Sequence, residues 1–185
     1  MIDERRHVGE IAFFGGDERQ LIAARQLQQS GYRVTVKGLA HAEQWDQPTK
    51  EARIVVLAVN GMDSEGWLNL EGGNKMRLDR KWLAELRSDA LILCGKTADA
   101  FDRWCQEVGI ARHCYLKDQA FQAANAVPTA EGVIRLTYAS RAKTIAGSQA
   151  LVTGFGYCGK ALAYRLQALG AKVVVAARSV DDRSY

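Results

Sequence analysis

A chain of 185 residues with 48% apolar side chains can bury one full core and part of a second. Its net charge is only +4, and its lysines and arginines are scattered rather than clustered, which argues against a nucleic-acid face. No run of about 18 apolar residues occurs and the start, MIDERRHVGE, is charged, so neither a membrane span nor a signal peptide is expected.

Cys94, Cys105, Cys114 and Cys158 form no CxxC pair and no zinc spacing, and read as reduced thiols of a cytosolic protein. His7, His41 and His113 share no ligand spacing, so no metal site is expected.

The pattern predicts a strand over 10–14, a Gly15–Gly16 turn, a helix over 18–29 stopped by Gly31, and a strand over 33–37. The turn reads GGDERQ. Asp17 stands where a helix N-cap belongs, and its carboxylate would occupy the first N–H groups and repel a phosphate. Asp17, Arg19 and Gln20 follow a strand's carboxyl end, where open α/β sheets place ligands. Arg19 there can grip a carboxylate in bidentate fashion. The plainer reading is a capped helix with surface side chains, and both stand on the sequence.

A polar connection with Pro48 leads to a buried strand over 53–59. Residues 60–78 are long and glycine-rich, and the alternation around 67–70 allows a β-hairpin, as a functional flap or a surface ornament. Asp79 caps a short helix over 80–87. A strand over 90–94 ends at Gly95–Lys96, with Lys96 facing a substrate anion or simply solvated. Thr97 caps a helix over 98–108, stopped by Gly109, and a fifth strand spans 112–116. Five strands alternating with helices make a doubly wound parallel sheet.

Residues 118–147 form a joint. Pro128 fits a first helical turn, with the helix over 133–143. A helix leading from one domain to the next places its start in a cleft. Asn125, Thr129 and Glu131 then have a route to a substrate, and Glu131 is a candidate proton acceptor. The alternative for Glu131 is a residue suited to the helix dipole.

The last stretch has the form strand, glycine turn, helix, strand. A strand over 150–153 runs into Gly154-Phe155-Gly156-Tyr157-Cys158-Gly159, a GxGxxG turn. Gly154 allows a sharp turn, Gly156 leaves room for a pyrophosphate, and Gly159 lets the helix pack close. The whole turn, Phe155, Tyr157 and Cys158 included, is expected to hold a dinucleotide against the helix N-terminus. The second strand, over 172–177, ends at Ala176, Ala177, Arg178, Ser179. No carboxylate stands there to repel a 2′-phosphate, while Arg178 and Ser179 can bind one, which favours NADP over NAD. Asp181 and Asp182 remain able to play the acidic role of an NAD site.

GGDERQ, NAVPTAEG and GSQALVTGFGYCGKALA, in that order and spacing, resemble the family of the dipicolinate synthase A subunit, over essentially the whole chain. The resemblance implies a flavodoxin-like substrate domain over 1–127, an inter-domain helix over 128–147, and from 148 to 185 the first βαβ of a truncated Rossmann domain. It implies NADP-dependent oxidation of dihydrodipicolinate, a small diacid, to dipicolinate in the cytoplasm of the sporulating mother cell. It also implies a partner, the dipicolinate synthase B subunit, which resembles a flavoprotein. Family members continue beyond the point where this chain stops. An apolar strand and helix would be left partly uncovered here, so a homo-oligomer or poor solubility is expected. Two other expectations remain: a two-domain dehydrogenase of the alanine or 2-hydroxy-acid kind, and a non-catalytic binding subunit.

Overall fold

The computed structural model describes residues 9–59, 61–140 and 144–178, which divide into two compact units between Leu116 and Lys117. In the first unit the chain runs β1 (Glu10–Phe14), α1 (Glu18–Gln29), β2 (Arg33–Lys37), β3 (Ala52–Leu57), a β4 (Trp67–Asn69)–β5 (Lys75–Arg77) hairpin, α2 (Arg80–Ala84), β6 (Leu91–Cys94), α3 (Asp99–Val108) and β7 (Ala111–Cys114). Five strands form one parallel sheet in the order β2-β1-β3-β6-β7. With the hairpin set aside this is the 2-1-3-4-5 order of a flavodoxin-like fold, and its strand order reverses at β1/β3.

The period-two pattern explains the layering. On β1, Ile11 and Phe13 face one way and pack with Val34, Val36, Leu39 and Ala24 of α1. Ala12 and Phe14 face the other way, into Val55, Leu57, Ile92, Leu83 and Phe101. Every residue of β1 is therefore buried. Each such large apolar side chain contributes about 1.5–3 kcal/mol.

At the amino end of β1 lies a buried carboxylate. Glu10, 3% exposed, accepts from the Thr35 hydroxyl (2.9 Å) and from the Thr49 N–H (2.8 Å) and hydroxyl (2.7 Å), with Arg33 at 3.8 Å. Burial pushes its pKa up, but these bonds and Arg33 outweigh it and hold the carboxyl below its ordinary value. It binds β1, β2 and the turn before β3 together, at the end of the sheet away from the strands' carboxyl tips.

The hairpin forms where the alternation allowed it, with Trp67 opposite Arg77 and Leu68 opposite Met76. Leu68 is fully buried in the main core, and the Glu71 N–H donates to the Gly38 carbonyl (2.9 Å). A side chain at Gly38 would run into Leu70. The segment is thus pinned across the carboxyl tips of β1 and β2 as a fixed wall. One cap differs from expectation: Ala98, not Thr97, occupies the N-cap of α3, without a side-chain bond.

The second unit holds α4 (Gln119–Ser140), β8 (Gln149–Thr153), α5 (Tyr157–Ala168) and β9 (Lys172–Ala176). β8 and β9 pair in parallel, and Ile145, Val152, Phe155, Ala163, Leu166 and Ala171 form the core. The other face of this two-stranded sheet carries Leu151 and Val174, 66% and 63% exposed.

The joint is corrected by the structure. The helix does not begin at Pro128; it begins at Gln119, with Asp118 capping by accepting from the Phe121 N–H (3.1 Å), and Pro128 lies inside it. The division between units accordingly falls near 117 rather than 128, and α4 belongs to the second unit. Proline costs a bond to Ala124, yet α4 continues because Ala126 and Ala130 are buried along its length. Among the described residues, no helix is long and apolar enough to cross a membrane and no cluster could hold a metal ion.

Candidate functional site

The chain contains two strand–turn–helix corners, and their helix starts differ in one respect that decides their chemistry. At α1, Asp17 accepts from the Arg19 N–H (3.0 Å), and the Gln20 amide oxygen accepts from the Asp17 N–H (3.0 Å). This reciprocal capping box satisfies two of the helix's orphan donors and sets a carboxylate over them. An incoming phosphate meets a negative charge there, with the Arg19 N–H already taken.

At α5 the N-cap is Gly156, and no side chain caps the helix. The Lys160 N–H donates to the Gly156 carbonyl, so the N–H groups of Tyr157, Cys158 and Gly159 have no helical acceptor. Gly154 adopts φ +92°, open to glycine, and its N–H donates to the Ala176 carbonyl (2.8 Å), tying the turn to β9. A side chain at Gly159 would strike the Gly154 carbonyl, whereas one at Gly156 would meet nothing within 4 Å. Packing therefore demands Gly159, while the space at Gly156 is left for something else. A cavity of about 600 Å³ opens here, lined by Thr153 to Gly156 and by Ala176, Ala177 and Arg178. Unpaired helix-start N–H groups, a helix dipole and a guanidinium are together suited to an anion, and the residues present fit a dinucleotide.

Phe155 is 5% exposed and packs against Tyr164, with the Lys160 ammonium 5.1 Å from its ring centre, so it braces the turn and offers a ligand only its backbone. Tyr157 and Cys158 are exposed on the first turn of α5. Ser179, and with it Asp181 and Asp182, lies outside the described residues.

On the first unit, Arg19 forks onto Asp17, with Nε at 2.9 Å from Oδ1 and Nη2 at 2.6 Å from Oδ2. The fork holds the Asp17 carboxyl below its usual range and raises Arg19. Gln20, expected to reach a substrate, is 5% exposed and taken up by the cap, so its role is to position its neighbours. Sequence reasoning missed Tyr115. Its hydroxyl donates to the Leu57 carbonyl (3.2 Å) and also bonds Gln20, and burial pushes its pKa up to about 12. An amphipathic aromatic at a strand's carboxyl tip was the available signal. Asp17, Arg19, Gln20 and Tyr115 thus form one polar group at the sheet's ligand edge.

Asn125, Thr129 and Glu131 lie inside α4, not at a helix start. The Thr129 hydroxyl donates to the Asn125 carbonyl (2.8 Å), and Glu131 stands 3.9 Å from Arg165 of α5. The four cysteines are free, and burial pushes Cys94 up to about 12 and Cys105 to about 11, so both are poor nucleophiles.

A flavodoxin-like sheet followed by a glycine-turned βαβ unit defines a two-part α/β protein with Rossmann-like strand–turn–helix corners. The family model for the N-terminal domain of the dipicolinate synthase A subunit matches residues 10–116, more than half of the chain. This chain belongs to the family of the dipicolinate synthase A subunit. It is 26% identical over 181 residues to the dipicolinate synthase A subunit of Bacillus subtilis (strain 168), covering 92% of this chain and 61% of that one. The solved structure of the Bacillus subtilis protein superposes with a TM-score of 0.75 at 25% identity, over 93% of this chain and 61% of that one. Its counterpart from Bacillus halodurans does so with a TM-score of 0.75 at 23%, covering 93% and 62%. The chain spans about three-fifths of the length of these relatives.

Proposed function

We propose that this chain carries the substrate and cofactor grips of an oxidoreductase subunit that converts dihydrodipicolinate to dipicolinate with NADP. The observation that carries the reading is the uncapped start of α5, facing a cavity that ends on Arg178 with no carboxylate in its lining. In the reaction the ring loses a hydride and a proton and becomes aromatic. When bound, the dinucleotide supplies the hydride acceptor.

The chain's own groups then have separate tasks. The N–H groups of Tyr157, Cys158 and Gly159 hold the pyrophosphate, with Gly154, Phe155 and Gly156 shaping the turn. Arg178, with Ser179, holds the 2′-phosphate, which makes NADP the preferred cofactor over NAD. Arg19 anchors a substrate carboxylate through the guanidinium donors that Asp17 leaves unused, while Gln20 and Tyr115 fix its helix. Asn125 and Thr129 contribute hydrogen bonds to the diacid, and Glu131 accepts the proton. The dipicolinate synthase B subunit is the partner, the assembly includes more than one copy of this chain, and the setting is the mother-cell cytoplasm during sporulation.

Calorimetry tests the cofactor grip on the chain itself. NADPH binds the wild type at a single site. Gly156→Val abolishes binding while the chain still folds, because a Cβ there meets nothing within 4 Å and only a modest N-cap cost is expected. Arg178→Ala weakens NADPH by about tenfold or more and leaves NADH nearly unchanged. Absent NADPH binding, or binding indifferent to Gly156→Val, would overturn the reading. Turnover of dihydrodipicolinate in the presence of the B partner then tests the reaction.

A further inference from the structure

The first unit has a crevice of about 590 Å³ whose lining includes Asp17, Glu18, Arg25, His41, Asn69 and Glu71, so it adjoins the Arg19 group through Asp17. It opens over the carboxyl tips of β1 and β3, the point at which strand order reverses and where open α/β sheets bind ligands. Positions 18, 21 and 25 share one side of α1 and line the crevice; Arg19 lies outside the lining but holds its Asp17 carboxylate.

Its walls are built and fixed. The hairpin is pinned by the Glu71 N–H on the Gly38 carbonyl, and α1 is held by its capping box. In its lining His41 adopts φ +56°, the only positive φ outside glycine among the described residues. A non-glycine residue in that conformation is strained and persists only where its surroundings hold it there.

The charges inside do not cancel one another. Among the described residues neither Arg25, Glu18 nor Glu71 has a side-chain partner, whereas the Asp17 charge is met by Arg19. A simple anion would be drawn to Arg25 but repelled by the two carboxylates, and a simple cation the reverse. We infer that this crevice binds a small zwitterion of the α-amino-acid type, its carboxylate forked on Arg25 and its ammonium held by Glu18 and Glu71. A cavity of this volume holds a molecule of that size with room to spare. The inference goes beyond the proposed oxidation: it needs neither dinucleotide nor turnover.

The test is amide-resolved NMR of the full chain, titrated with the standard α-amino acids at millimolar concentration, each paired with the same acid lacking its amine. At least one amino acid is expected to shift the amides of Gly16, Ala40, Gly61 and Asn69, and its amine-free counterpart to bind at least about tenfold more weakly. Arg25→Gln and Glu71→Gln should each weaken binding by about the same factor. If no amino acid shifts these amides, if the amine-free acid binds as well, or if both variants bind unchanged, the inference falls. The wild-type comparison stands even if a variant fails to fold. NADPH titration of the same samples reads the cofactor grip separately, so failure of one is not failure of the other.

Discussion

Glu10 illustrates how a carboxylate is kept inside a sheet. Three donors converge on it, two from Thr49 and one from Thr35, and together they overcome the cost of burial. Its folded pKa lies below the ordinary 4.5. Its contribution to stability is therefore complete above that value and drains away as pH falls through the lower folded value. Glu10→Gln should cost about 1–3 kcal/mol at neutral pH. Urea midpoints measured across the acid range should show a shallower loss of stability in the variant than in the wild type; parallel curves would remove Glu10 from that role. Single residues were unevenly legible in the sequence. Asp17 was readable as a cap because its position before a helical pattern specifies one. Gln20 was not, because a glutamine three residues on can either close a capping box or face solvent, and only the folded backbone decides.

At the scale of elements, periodicity revealed most of what packing later used. The five strands and α1 appear within a few residues of the expected bounds because each buries a face that matches its period. The hairpin was readable from turn dipeptides, but its pinning over Gly38 depends on contacts distant in sequence. The joint was misread for a definite reason. Proline favours a first helical turn and opposes a helix interior, and at Pro128 tertiary packing of Ala126 and Ala130 overrides that preference. Pro128→Ala restores an N–H within hydrogen-bonding range of the Ala124 carbonyl. It should stabilise the chain by about 1 kcal/mol or more after the loss of proline's stiffness in the unfolded state, raising the thermal midpoint by about 2–4 °C. A midpoint that falls would mean that α4 needs the proline's shape.

At the scale of the whole molecule, the second unit's small sheet stands out. Parallel strands are normally covered on both faces, yet Leu151 and Val174 sit opposite each other in register with most of their surface in water. Self-association through that face is expected. Sedimentation should show concentration-dependent assembly in the wild type that Leu151→Thr with Val174→Thr abolishes, with NADPH affinity intact; assembly unchanged in the double variant would locate the contact elsewhere. The two α/β corners, finally, carry a consequence for counting. A duplicated corner would ordinarily offer a nucleotide two berths and leave occupancy to chance. Here one berth comes already filled by its own tethered carboxylate at Asp17, a permanent resident no solute can dilute away. A polypeptide arranged like this leaves such a guest at most one open berth without having to make that berth any stickier.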